Sequence, residues 1–227
     1  MLYRSLVIFL FLLPTIGLAN PDQVQSYLPR ESYEVIKYES AGGAVFVNAD
    51  VDWSAYTRVQ LKRGTVEFRE NWVEDQENTS KNVIRETDLE RVKTDMADLL
   101  DKVLRGNLSK REAYTLTDES GADVLLFTPG IVKLDIYTPD FLRDYVGHEL
   151  TVAQGGMVLV LDISDSVSGR ILASAVQKQR SAESGFFESS SRGRNKAAFR
   201  RMMQNWNDWL FAMLEKIRAG ELEHTIN

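Results

Sequence analysis

The sequence predicts an α+β fold: a single domain in which two long helices pack on one mostly antiparallel sheet. Three observations predict it. Residues 87–105 and 195–218 each repeat apolar side chains at helical spacing. Several shorter stretches alternate apolar and polar residues, as half-buried strands do. The order is strand, helix, a run of strands, then helix, which keeps strands and helices in blocks instead of alternating them. No internal repeat and no second core-sized unit is present.

The first 19 residues read as an export signal. Arg4 supplies a positive start, Leu6–Leu13 an apolar core, and Gly17-Leu18-Ala19 the small residues that a signal peptidase needs. Cleavage is expected after Ala19. The apolar stretch from Ser5 to Ala19 is shorter than the ~20 residues that span a bilayer. Residues 20–44 carry Pro21, Pro29 and Gly42-Gly43 without sustained periodicity, and they read as an irregular extension. The domain is then expected over 45–220, with 221–227 as a tail.

Within that domain, Val59 and Leu61 alternate with polar residues, and Val66 and Phe68 do so again after Gly64. This predicts a strand bent or bulged at Arg63-Gly64. Residues 70–84 are polar and read as a loop. Next comes the first helix. Thr87 or Asp88 is its expected cap, Leu89, Val92, Met96, Leu99, Leu100, Val103 and Leu104 form its apolar face, and Gly106-Asn107 its expected stop. A short strand follows in 112–117. A longer one follows in 120–138, where Val124–Phe127 is a continuous apolar run of the kind covered on both faces. "ELTVAQGGMVLVLDIS" and "RILASAVQKQRS" flank a Ser/Asp/Gly cluster, which is a hairpin signal. The last helix carries Phe199, Met202, Met203, Trp206, Trp209, Leu210, Met213, Leu214 and Ile217 on one face.

Composition narrows the function. Of 227 residues, 44% are hydrophobic, enough for a real core, and the net charge of -6 argues against a general nucleic-acid binder. There are no cysteines, so disulfides, thiolate chemistry, Cys-ligated metals and the acylated cysteine of a bacterial lipoprotein are all excluded. After cleavage no transmembrane segment and no lipid anchor is expected.

Four groups of residues are candidate sites by their chemistry. Asp162 and Asp165, with Ser164 or Ser168, offer oxygen ligands to Ca²⁺, but they lack the regular acidic spacing of a calcium loop. The same residues make an ordinary turn, in which Asp and Ser bond their own backbone and Gly169 takes a positive φ. His148-Glu149 has Val at the position where a zinc protease needs its second His, and the other histidine is His224. No metal site and no cofactor is expected. The Met/Trp face of the last helix reads as core. Phe141, Tyr145, Phe186 and Phe187 are apolar groups in segments that otherwise read as exposed, and they are the candidate anchors for a protein partner.

Four stretches together resemble a family of exported bacterial proteins known as domain of unknown function 3313, usually described as lipoproteins. They are "VDWSAYTRVQL" (51–61), "GADVLLF" (121–127), "LDISDSVSGRILASAV" (161–176) and the Trp-bearing helix "FRRMMQNWNDWLFAML". The resemblance covers roughly residues 45–218. It implies an envelope location and an α+β domain, and it brings no activity and no catalytic residues. This chain departs from the family in lacking the lipid-bearing cysteine, which favours a free periplasmic protein. The expectation is therefore a non-enzymatic accessory or binding module of the cell envelope. The competing expectation is a hydrolase using Asp162, Asp165 and His148.

Overall fold

The computed structural model describes residues 35–40, 43–80, 83–136, 156–180 and 192–221. These form a mixed sheet with helices, an α+β arrangement. The strands are β1 (Val35–Ser40), β2 (Gly43–Asn48), β3 (Arg58–Leu61), β4 (Thr65–Phe68), β5 (Thr115–Leu116), β6 (Val124–Asp135), β7 (Gly156–Asp165) and β8 (Ile171–Arg180). The helices are α1 (Trp72–Ser80), α2 (Glu86–Leu108) and α3 (Arg192–Ala219). The sheet order is β1-β2-β8-β7-β6-β3-β5, with β4 also paired to β6.

The expectation of a mostly antiparallel sheet is corrected. β1, β2, β8, β7 and β6 pair antiparallel in succession, but β3 and β4 both run parallel to β6, and β5 runs parallel to β3. The cause is the crossover: α2 lies between β4 and β6 in the chain and carries it back to the same end of the sheet, as a parallel connection requires. β6 is therefore an interior strand, which suits its apolar run.

The predicted bend is present. β3 and β4 are two halves of one line beside β6, with Leu61 opposite Phe127 and Thr65 opposite Gly130. Pro129 lies between those two partners and has no N–H to donate, so the ladder cannot continue unbroken there. Gly64 fits beneath α2: a Cβ on it would stand 3.0 Å from a Leu100 methyl. A second irregularity follows at Lys133, whose φ is +53°. It adds a residue to β6, so Ile131, Leu134 and Ile136 all reach the core although they do not alternate.

Three further segments differ from the sequence reading. The lead-in read as irregular over 20–44 contains β1, and β2 begins within it at Gly43. The polar stretch 70–84 contains α1, so the helix count exceeds the expected two. α1 has no apolar stripe. It is fixed by Trp72, which is 1% exposed, stacks on Phe68 at 4.4 Å and donates its indole N–H to Ile136 O at 2.8 Å. Gly106 does not end α2, which runs on to Leu108. Leu108 is fully buried, and burying that side chain offsets the ~1 kcal/mol that a helical glycine costs.

α2 and α3 pack on one face of the sheet and on each other. Val59, Leu61, Leu125, Phe127, Leu159, Leu161 and Ile163 meet Leu100, Leu104, Met203, Trp206, Leu210 and Leu214 in one core. The Met/Trp face of α3 is thus core, as its spacing indicates. Asn207, fully buried, donates to Val103 O at 3.1 Å and ties the two helices together. The other sheet face carries a smaller cluster, Phe46, Val158 and Val176, with Val132, Val160 and Ile171 around it.

Candidate functional site

The β7–β8 hairpin holds the residues that most resemble chemistry. Its turn is built by Asp165. One carboxylate oxygen accepts the Val167 N–H at 3.2 Å, the Ser168 N–H at 2.7 Å and the Ser168 hydroxyl at 2.7 Å. The other accepts the Tyr56 hydroxyl at 3.1 Å. Gly169 has φ +72° and donates its N–H to Asp165 O. These donors, led by the Ser168 N–H, hold the Asp165 carboxyl below the usual range. Both oxygens are occupied by the fold itself, so the turn reading holds.

Asp162 is placed differently. Leu159, Leu161 and Ile163 point to the helices, so the strand's period of two sends Asp162 to the second face. There it lies opposite Thr128 on β6 and Ser174 on β8. The Ser174 hydroxyl donates to it at 2.6 Å. Burial pushes its carboxyl above the usual range, opposed only in part by that hydrogen bond. Asp165 pairs across the ladder with Leu125, on the helix-covered face.

The expected pairing of Asp162 with Asp165 for hydrolysis is therefore corrected: the two carboxylates project to opposite faces and cannot flank one substrate. The remaining partners named from the sequence, His148 and His224, lie outside the described residues, as do Phe141, Tyr145, Phe186 and Phe187. Among the described residues no group of three His, Cys, Asp or Glu is placed to hold a metal ion.

Other charges serve the fold. Arg58 grips Asp123 through two nitrogens, at 2.8 and 2.6 Å, and this holds the Asp123 carboxyl down to about 2. The expected cap at Thr87 or Asp88 is corrected: both lie inside α2, whose N-cap is Arg85 with no side-chain cap bond, and the Asp88 carboxylate accepts from Arg85 and Arg91 instead. At the end of α3, Arg218 donates to Tyr56 O at 2.7 Å and lies over the Tyr114 ring, while Arg111 pairs with Glu215 and lies over Phe211. This corner clamps the hairpin turn to α3. A surface depression of about 400 Å³ lies beside α1, between Phe68, Arg69, Asn71, Val73, Glu74 and Asn78. It is open, and Arg69 at its edge is already paired with Asp75 and Asp135.

Asp162 is the residue whose setting the sequence reading missed. Its position in the motif suggested a turn. The alternation of Leu159, Leu161 and Ile163 was the available signal that it lies in the strand, facing away from them.

The geometry defines an α+β domain with a helix-covered face, a second face bearing one half-buried acid, and a turn whose carboxylate is fully employed. The chain belongs to the family described as "Protein of unknown function (DUF3313)", whose model matches residues 30–208. No curated protein matches the sequence. Among solved structures it is similar to a DUF330-family protein from Xanthomonas campestris, 10% identical, covering 73% of this chain and 88% of the other, with a TM-score of 0.40. It is also similar to the PelC dodecamer from Paraburkholderia phytofirmans, 7% identical, covering 71% and 96%, TM-score 0.32. A minor lipoprotein from Acinetobacter baumannii is 12% identical, covering 75% and 98%, TM-score 0.32. Such scores are too low to bring the assembly or location of those proteins to this chain. Among the described residues, no helix is long and apolar enough to cross a membrane.

Proposed function

We propose that this protein is an exported, non-catalytic accessory or binding module of the bacterial cell envelope, free in the periplasm after cleavage behind Ala19. The observation that carries the non-catalytic part is the division of Asp162 and Asp165 between opposite sheet faces. A turn accounts for one acid, and the Ser174 hydroxyl holds the other across the strands. The leader pattern, with Arg4, Leu6–Leu13 and Gly17-Leu18-Ala19, supports export. Phe141, Tyr145, Phe186 and Phe187 are the proposed partner anchors, because aromatic side chains bury much area at little entropic cost.

The test has two parts. Fractionation of the host with mass measurement of the protein should find the form beginning at Asn20 in the periplasm. A full-length, membrane-bound form would refute the location. A hydrolase screen on the purified protein should give no activity that depends on Asp162. Activity lost in Asp162→Asn would refute the non-catalytic reading.

A further inference from the structure

The second sheet face holds a carboxyl that the turn, the ion pairs and the proposed partner anchors do not use. Asp162 sits on β7, inside the sheet, between Thr128 of β6 and Ser174 of β8. Ser174 is 3% exposed, and its hydroxyl lies 2.6 Å from the carboxylate. The next positions on this face are Val160 and Ser164 along β7, and Gly130 and Val176 across from Val160. Among the described residues, the charges on this face are distant. Lys178 lies opposite Val158, four residues along the strand, or about 13 Å away. Arg58 and Glu67 belong to β3 and β4, two strands away, and Arg58 is held by Asp123; Lys37 and Glu39 belong to β1, with Lys37 opposite Phe46 and three strands from Asp162, about 14 Å away. The carboxylate therefore faces hydroxyls and apolar side chains, with no described cation beside it.

We propose that Asp162 and Ser174 form an acid-responsive pair, so that mild acidification tightens this fold instead of loosening it. The proton comes from solvent and adds to one Asp162 oxygen. The other oxygen keeps the Ser174 hydrogen bond. The new O–H lies in the cross-strand row of Ser174 and Thr128, and the face beside Val160 and Val176 loses a charge that it solvates poorly.

The sign follows from linkage. Burial raises the folded-state value above the ordinary 3.8. The folded chain thus binds the proton more tightly than the unfolded one, and this contribution to stability is complete below 3.8 and lost as pH rises through the raised value. Asp123 and Asp165 act oppositely. Their lowered values give stability that is present above 3.8 and lost as pH falls through those values. A stability maximum in mild acid results, and Asp162 sets its alkaline side.

The experiment is a series of thermal melts across pH on the mature protein and on Asp162→Asn, which keeps the shape and an oxygen acceptor for Ser174. The variant should melt about 2–4 °C above wild type at about pH 8, and the two should converge by about pH 4. Parallel curves, or a variant that melts lower at every pH, would overturn the proposal. Carbon NMR of the wild-type Asp162 carboxyl keeps the test decisive if the variant fails to fold. A midpoint above 3.8 supports the pair, and one at or below it overturns it.

Discussion

Replacing Asp165 with alanine tests the reading of the hairpin as a structural turn. The substitution removes acceptors from the Val167 N–H, the Ser168 N–H, the Ser168 hydroxyl and the Tyr56 hydroxyl. The first three lie on exposed residues and regain water, so each counts at the low end of about 0.5–1.5 kcal/mol. Tyr56 is only 9% exposed, and its hydroxyl loses its partner at a cost of about 1–3 kcal/mol. Together these give about 2.5–4.5 kcal/mol, a fall in Tm of about 5–18 °C for a chain of this size. Asp165→Asn keeps an oxygen for the three turn donors and should lose less than half as much. Tyr56→Phe in the Asp165→Ala background should add little, because the bond between them is already gone. Calcium or chelator should not move any of these melts, since both Asp165 oxygens are occupied by the chain. The assay is differential scanning calorimetry with and without added calcium. A loss under about 1 °C for Asp165→Ala, or a wild-type Tm that rises with calcium, would refute the reasoning.

Three further outcomes follow from the packing. Gly169→Ala places a Cβ at φ +72° and should cost about 1 kcal/mol in urea unfolding with an unchanged slope, although nothing crowds the position. Gly43→Ala puts a Cβ 2.8 Å from the Trp209 ring and from Gln177 Cγ, and overpacking there should cost about 1–3 kcal/mol, with Trp209→Leu relieving part of it in a double-mutant cycle. Trp72→Phe leaves Ile136 O without its indole donor and should unlatch α1 first, read as faster amide exchange in 72–80 than in α2.

The long helices were legible because each carries an uninterrupted apolar stripe: Val92 to Leu104 in α2 and Phe199 to Ile217 in α3 are buried in the main core. The β7–β8 hairpin was legible because period-two runs flank a turn cluster. Even the bend at Gly64 could be read, although its partner in cause, Pro129, sits on another strand and only the pairing reveals the connection. The parallel pairing of β3 and β4 with β6 was not legible. Alternation tells which face a side chain takes, not which strand lies beside it. α1 escaped because one buried tryptophan anchors it where a stripe would normally do so. β1 escaped because its six residues follow prolines and mix charge with apolar groups.

The two hairpin acids show the same limit at the candidate site. Asp162 and Asp165 are three residues apart and chemically identical, yet burial raises one carboxyl and turn donors lower the other. The sequence holds the parity that separates them, since an odd spacing in a strand means opposite faces. It does not hold the cross-strand neighbours, Thr128 and Ser174 for one and Leu125 for the other, that make their environments differ.

The central proposal is that this protein is a binding module of the cell envelope. Its most direct test is a crosslinking capture from the host periplasm, comparing the mature protein with a variant in which Phe141, Tyr145, Phe186 and Phe187 are all changed to serine. The account predicts an envelope protein crosslinked reproducibly to the wild type and lost from the variant, with the Tm of the two alike. A variant that melts like wild type and keeps every crosslink, or a wild type that captures no envelope protein, would contradict it.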